Sequence, residues 1–416
     1  MRVKTILNRV ERHPGFVYGD ALLDKDVRLL VPVTARKGSR PLCSGCGSRG
    51  PTYDTRPSRE FRFVPLWGIA VFFVYAMRRV DCERCGVRVE SVSWATGKEH
   101  STTTLLWFLA MWAKRLSWQE TAEAFDSSWR TVFLAVRMAV DWGRAHLVLG
   151  TIESIGVDEL SWRRKGKPKF ITLVYQLDAG CRRLLAIHPD RREGSLRPFF
   201  EWIGPDGAAS IRFVCSDMWK PYLKVLKEKA SQAIHVIDPF HIAQHLSKAI
   251  DQVRRSEVET LRLQGRLPVL KDSRWALLRR PENRTEKDEA KLKDLVRFNL
   301  KSVRACLLRW DFDCFWSYTS GTWAGQFLDR WCTRAMRSQL APMKRVVQML
   351  RTHRPYLMAW FKAKGQLATG AVEGLNNRAR AVTKRSYGFR TFKVLETALY
   401  HTLGRLPEPS FTHRFW

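Results

Sequence analysis

The chain has 416 residues, with 72 Lys and Arg against 40 Asp and Glu, a formal charge of +32 and a pI near 10.3. That length is too great for one small core and asks for roughly two to four domains. The positive charge runs through the whole chain, which points to a polyanion, first of all nucleic acid, and sets a membrane surface aside because no basic amphipathic anchor stands out.

The opening MRVKTILNRVERHPGF has no apolar signal-peptide core. The longest uncharged run, FVPLWGIAVFFVYAM between Arg62 and Arg78, is shorter than the roughly 20 residues of a bilayer span. Pro65 and Gly68 inside it make it strand–turn–strand. An intracellular protein is therefore expected, and its nine cysteines are metal ligands or buried thiols rather than disulfides.

Residues 1–40 form a mixed lead-in with one clear strand, Leu29–Ala35. Residues 41–95 carry two C-x-x-C knuckles, Cys43/Cys46 and Cys82/Cys85, each followed directly by glycine (Gly47, Gly86). Two such knuckles make a closed four-thiolate zinc site that is structural, with no open position for catalysis. A hairpin of Glu60–Phe63 and Val71–Arg79 fills the gap between them. Arg59, Arg62, Arg78, Arg79 and Arg84 make this small β module a candidate DNA contact.

Residues 101–147 read as all-helical. Thr104–Arg115 is a helix, and Ser117 and Glu120 form a capping box that opens a second. The turn Asp126–Ser128 precedes a third. Short helix, tight turn and longer helix make a helix-turn-helix pattern, with Ser127, Ser128, Arg130 and Thr131 at the recognition position. A plain three-helix bundle has the same spacing.

From residue 150 the pattern alternates. Strands are expected at Ile152–Leu160, Lys169–Asp178, Cys181–Pro189, Ile211–Asp217 and Ala233–Asp238, with helices between and after the last three. The order βββαβαβα is that of a ribonuclease-H-like α/β domain. It places the first and fourth strands side by side, with Asp158 and Asp217 at their ends. Residues 251–365 read as an all-α insertion that includes one long helix, Lys287–Trp310. The catalytic domain, residues 150–250 and 366–400, closes with the stretch Thr369–Arg390. In that last helix Val372, Leu375, Ala379 and Val382 make an apolar stripe, and Glu373, Asn377, Arg380 and Lys384 fall on the opposite side.

Two divalent ions about 4 Å apart can drive phosphodiester transfer, and holding them takes acidic oxygens from separate elements. Asp158 would bridge both ions, with Asp217 and Glu373 completing one shell each. Each acid has a bland alternative: a strand-end turn for Asp158, a helix cap for Asp217, and a carboxylate favoured by the helix dipole for Glu373.

The motifs GVDE (Gly156–Glu159), CSDMWKPY (Cys215–Tyr222), DPFHI (Asp238–Ile242) and VEGLNNRARAVTKRSYGFR (Val372–Arg390) resemble those of bacterial insertion-sequence transposases of the DDE class, most closely the ISL-three family. The CSGC…CERC knuckles and SSWRTV (Ser127–Val132) match as well, so the resemblance covers about residues 40–400. It implies that Asp158, Asp217 and Glu373 are a catalytic triad using Mg²⁺ or Mn²⁺. It implies that the N-terminal modules, with structural Zn²⁺, recognise terminal inverted repeats in double-stranded DNA. Asp238 and His241 look like a D-x-x-H signature that supports the active site, or else a helix cap with a packed histidine. Asn377, Arg380 and Lys384 would meet DNA backbone beside the cut. A homodimer or larger synaptic complex in the bacterial cytoplasm, at the nucleoid when bound to DNA, is expected. A DNA-binding regulator and a structure-specific nuclease without strand transfer are the rival functions.

Overall fold

The structure is a computed structural model that describes residues 2–163, 169–266, 268–279, 281–298, 300–363, 370–386 and 388–415. Thr369 and Tyr387 of the C-terminal motif block, and residues 364–368 around the end of the expected insertion, lie outside the described residues. The chain divides into two compact units, 1–148 with 385–416, and 149–384.

The first unit opens with helix α1 (Val3–Val10) and strands β1 (Phe16–Tyr18), β2 (Leu22–Leu23), β3 (Leu29–Ala35), β4 (Thr52–Leu66), β5 (Ile69–Cys82) and β6 (Gly86–Val89). β4 and β5 form a long antiparallel hairpin. Its turn is Trp67–Gly68, both with positive φ (51° and 80°), the backbone that matches strand twist in a two-residue turn. Along β5 every second residue is buried: Val71, Phe73, Tyr75 and Met77 pack with Trp94. Residues 1–40 are not a separate lead-in. β3 pairs in parallel with β5 and puts Val31 and Val33 into the same core, and β1 pairs with β3.

Helices α2 (Thr103–Trp112), α3 (Trp118–Ala124) and α4 (Trp129–Ala145) follow. The expected Ser117–Glu120 capping box closes in both directions. The unit is completed from the far end of the chain by helix α15 (Phe392–Leu403). Arg144 of α4 lies 3.6 Å from Glu396 and its guanidinium sits 4.6 Å from the Tyr400 ring. The described part of residues 385–400, expected with the catalytic domain, thus falls in this unit, because α15 packs against α4.

His401 on α15 is buried, and burial lowers its imidazole to about 3. The unfolded histidine titrates near 6.5. Because the folded value is the lower one, the neutral ring's stability is fully present above pH 6.5 and is lost as pH falls below it. A loss of about 1.4 kcal/mol per pH unit is expected for this group. Thermal melting between pH 6.5 and 5 checks this: His401→Leu flattens the decline.

The second unit holds strands β7 (Ser154–Arg163), β8 (Lys169–Asp178), β9 (Cys181–Pro189), β10 (Phe213–Ser216) and β11 (Ile234–Ile237). The sheet order is β11-β10-β7-β8-β9. β7, β8 and β9 form an antiparallel meander; β10 and β11 join in parallel. β8 is buried continuously from Ile171 to Leu177, as expected of a strand covered on both faces. Helices α5 (Arg197–Ser210) and α6 (Lys220–Lys229) contribute Phe199, Phe200, Tyr222 and Val225 to the core cluster that holds Ile155 and Val157.

Helix α7 (Pro239–Leu263) leads into α8 (Arg274–Leu278), α9 (Glu286–Val296), α10 (Lys301–Asp313), α11 (Gly321–Arg337), α12 (Ala341–Thr352) and α13 (Arg354–Ala363). Their core includes Leu246, Phe312, Phe315, Leu328, Trp331 and Met343. The single helix expected at Lys287–Trp310 is two, α9 and α10. The second starts where Glu257 of α7 accepts the backbone N–H groups of Lys301 and Ser302 (2.7 and 2.8 Å), a cap supplied from another helix. Helix α14 (Gly370–Arg385) follows in the chain. Among the described residues no helix is long and apolar enough to cross a membrane.

Candidate active site

Strand register brings the first two acids together. β7 and β10 pair in parallel with Val157 beside Ser216, so the next residues, Asp158 and Asp217, are neighbours where β10 ends. β7 itself does not end at Asp158, as expected, but runs on to Arg163, because β8 pairs with it beyond that point. Asp158 is 5% exposed, and its Oδ1 accepts the N–H of Glu159 at 2.7 Å.

Asp217 accepts the N–H of Trp219 at 3.0 Å. Burial, opposed by that bond and reinforced by the charges of Asp158 and Glu159, pushes its carboxyl up to about 6. Asp238 caps α7 through the N–H of Phe240 (2.9 Å), and its own N–H bonds Ser216 at 3.0 Å. Burial pushes Asp238 up to about 6 too, with Asp158 and Glu373 adding to the rise. One turn along α7, His241 Nε2 lies 3.8 Å from Asp158 Oδ1. Burial pulls that imidazole down, but Asp158, with Asp238 and Asp217, outweighs it and the net shift is upward.

Glu373 stands half-exposed in the first turn of α14. Asn377, Arg380 and Lys384 are exposed further along that helix, and Arg380 donates to Asn377 Oδ1 at 3.0 Å. The buried side is Ala371, Val372, Leu375, Asn376 and Ala379. Asn376 is the residue that sequence reasoning missed. Its amide Nδ2 donates to Asp158 Oδ2, and its Oδ1 accepts the Tyr175 hydroxyl at 2.9 Å. The available signal was an amide standing beside Val372, Leu375 and Ala379 on the helix's apolar side. Glu159, the competing acid, faces away: both its oxygens receive Arg191 Nη1, at 3.1 and 3.2 Å. That guanidinium lies against the Phe170 and Trp219 rings at 4.1 and 4.8 Å.

α14 can approach β7 because residue 156 is glycine. A Cβ there would lie 2.6 Å from Val372 Cγ2 and 3.1 Å from Leu177 Cδ1. Gly156→Ala is therefore expected to push α14 off the sheet and cost about 1–3 kcal/mol. Denaturant melts of wild type and variant measure it; equal midpoints would contradict the close approach.

Asp217 and Asp238 have raised proton affinity through burial, the condition a bound cation relieves. Among the described residues these acids do not form a group with all ligand atoms within 4.8 Å of one another. Ligands on opposite sides of two ions about 4 Å apart lie further from each other than ligands around one ion. The donor set fits hard divalent ions that take oxygen ligands.

Residues 155–399, more than half the chain, match the family model of the ISL3 DDE transposases, described as a transposase. The chain belongs to the ISL3 transposase family. It is 29% identical over 360 residues to the transposase of insertion sequence element IS1001 from Bordetella parapertussis, covering 84% of this chain and 85% of that one. The transposase of insertion sequence element IS1557 from Mycobacterium tuberculosis is 27% identical over 392 residues, 88% of this chain and 87% of that one.

The transposase carries a second polar cluster at the base of its β hairpin. The sulfurs of Cys43, Cys46, Cys82 and Cys85 all lie within 4.8 Å of one another, and Cys46 and Cys82 are 3.5 Å apart. Tetrahedral thiolates at about 2.3 Å from zinc would be about 3.8 Å apart, so the set fits one such ion with little movement. Gly47 and Gly86 turn the chain with φ of 74° and 68°. Hydrogen bonds from Ser48 lower the Cys46 thiol to about 6, and the Cys46 sulfur beside Cys85 pushes that thiol up to about 12.

Several side chains of the transposase expected at DNA make contacts within the protein. Arg78 is largely buried and pairs with Glu90 through Nε (3.0 Å) and Nη2 (2.8 Å), because the hairpin folds it inward. The Ser128 hydroxyl accepts the N–H of Thr131 at 3.0 Å as the N-cap of α4, the role such a residue has at a helix start. Arg130 is exposed beside it, and Ser127 and Thr131 are partly so. Arg62 donates to the carbonyl of Phe125 at 3.0 Å, joining β4 to the turn between α3 and α4.

Proposed function

We propose that this transposase binds the terminal inverted repeats of its element, hydrolyses a phosphodiester to free a 3′-hydroxyl, and joins that hydroxyl to target DNA. The observation that carries the reading is the β7–β10 register, which sets Asp158 beside Asp217, with α14 hydrogen-bonded to Asp158 through Asn376. The sheet order, three antiparallel strands then two parallel ones, supports a ribonuclease-H-like catalytic domain. The run of helices α8 to α13 supports an all-α insertion, expected at 251–365, before α14.

Asp158, Asp217 and Glu373 would hold the divalent ions. Mg²⁺ or Mn²⁺ bound there would supply Lewis acidity to the attacking and leaving oxygens. Asp238 and His241 keep Asp158 in a polar, hydrogen-bonded setting. Asn377, Arg380 and Lys384 line an exposed face of α14 for phosphates next to the reacting bond. Ser127, Arg130 and Thr131, with Ser128 as their cap, make the helix-turn-helix contact to the repeats. The four cysteines hold structural Zn²⁺. Two ends must be joined, so the working form is a dimer or larger synaptic complex.

The test is a linear DNA carrying the element's terminal repeats, incubated with protein, Mg²⁺ and a plasmid. Joining of 3′-ends into the plasmid is the expected result. Binding without cutting would mark a regulator, and cutting without joining a nuclease.

A further inference from the structure

The amide between Tyr175 and Asp158 has a job that the acidic triad does not describe. Asn376 is 2% exposed and Tyr175 is fully buried. An asparagine amide presents an acceptor and a donor, and which end faces which neighbour follows from the partners. Asp158 is a carboxylate and needs a donor. Tyr175 supplies the hydroxyl that fills the amide oxygen, at 2.9 Å. The opposite orientation would set Oδ1 against Asp158 and make the two oxygens repel. The acid therefore fixes which end of the amide it meets, and the phenol, which can donate, satisfies the other end.

Three further facts show what the link constrains. Asp158 Oδ1 is held by the Glu159 N–H at 2.7 Å and faces His241, so the Asn376 bond at Oδ2 completes the carboxylate's fixation. Asn376 stands three residues after Glu373, one helical turn away. Gly156, two residues before Asp158, is where α14 comes closest to β7, against Val372. The contact at Gly156 sets how near the helix lies, and the amide sets its register along the strand.

We propose that Asn376, braced by the Tyr175 hydroxyl, is a positioning residue. It holds the Asp158 carboxylate in one rotamer and locks Glu373 in register with it, so that the divalent-ion site is assembled before DNA binds. The inference rests on the metal-binding reading of Asp158 and Glu373. Neither Asn376 nor Tyr175 reaches substrate in this account; both act through Asp158.

The experiment uses the full-length protein and Mn²⁺ as the probe. Mn²⁺ binding is followed by the electron paramagnetic resonance of the free ion, next to repeat-DNA binding without added Mg²⁺ or Mn²⁺ and thermal melting. Hydrogen-bond partners of metal ligands typically contribute about 10–100-fold to metal affinity. Asn376→Ala is expected to weaken Mn²⁺ binding by about tenfold or more, with DNA binding in the absence of added Mg²⁺ or Mn²⁺ unchanged. Tyr175→Phe keeps the ring and removes one oxygen, so it stays informative should Asn376→Ala melt too early. It is expected to weaken Mn²⁺ binding by a smaller factor, and to add nothing in the Asn376→Ala background, since the hydroxyl acts only through the amide. Mn²⁺ affinity equal to wild type in folded Tyr175→Phe and Asn376→Ala overturns the proposal, whatever their melting temperatures. Asp158→Ala separates the two levels: if it binds Mn²⁺ as wild type does, the metal reading itself fails, and the positioning role with it.

Discussion

Glu373→Ala is expected to lower strand transfer by about 10³-fold or more while the protein keeps its melting temperature within a few degrees and binds repeat DNA as before. The two readings of this residue differ in magnitude. A carboxylate in the first turn of a helix contributes about 0.3–1 kcal/mol through the dipole and capping interactions. Glu373 is half-exposed, so its removal opens no cavity. If dipole stabilisation were its whole role, the variant would lose that much stability and keep full activity. A ligand of one of two ions contributes several kcal/mol to the transition state instead, and each 1.36 kcal/mol is tenfold in rate. Single-turnover joining with preformed 3′-ends, beside repeat binding and a melt, distinguishes them. Glu373→Gln keeps the shape and loses the charge, so it is expected to follow Ala in activity and wild type in stability. Asp217→Asn is expected to behave likewise in the joining assay.

Cys82→Ser is expected to have the largest effect on stability. Apparent zinc-binding energies in small structural sites are about 10–16 kcal/mol, as large as the whole stability of a typical domain, about 5–15 kcal/mol. Cys82 is the last residue of β5 and is buried with Cys43 and Val80 in a small cluster of their own. The neighbouring hairpin core of Phe61, Phe73, Tyr75 and Trp94 is separate and does not depend on the sulfurs. Loss of the ion therefore unravels residues 41–51 and the Cys82–Gly86 turn first and lowers the melting temperature by about 10 °C or more. Metal analysis is expected to give one zinc per chain for wild type and none for Cys82→Ser. A strong chelator is expected to reproduce the variant's melt and to abolish repeat binding. Zinc-free wild-type protein with an unchanged melt would contradict this account.

Where structure follows from neighbours in sequence, the chain was legible. β8 and β9 lie at Lys169–Asp178 and Cys181–Pro189 as expected, because their apolar runs are parted by the turn at Ala179–Gly180, and Gly180 takes the positive φ of 78° that the turn needs. The Ser117 capping box and a turn at Pro65–Gly68 were legible for the same reason: their partners are a few residues away. Distant contacts decided what the sequence did not reveal. β7 continues past Asp158 because β8 pairs with it there, and the break between α9 and α10 is capped from α7 by Glu257. α15 joins α4 across some 250 residues of chain, through Arg144, Glu396 and Tyr400.

The candidate site divides along the same line. Asp158 and Asp217 could be paired from strand order alone, since parallel neighbours carry their end residues side by side. Glu373 could be drawn in only through its motif block, because nothing local on α14 states which strand it meets. Gly156 and Asn376 supply that information, one as an absent side chain and one as an amide within an apolar stripe. Both are read easily once the helix and strand are seen in contact, and neither stands out in a one-dimensional pattern.

The central claim is that Asp158, Asp217 and Glu373 share divalent ions. It is tested most directly by replacing Mg²⁺ with Fe²⁺ and generating hydroxyl radicals at the bound ion, then mapping the backbone cuts. The account predicts cuts clustered in β7 near Asp158, at the β10–α6 turn and in the first turn of α14, all lost in Asp158→Ala. Cuts that fall elsewhere, or that persist unchanged in Asp158→Ala, would contradict it.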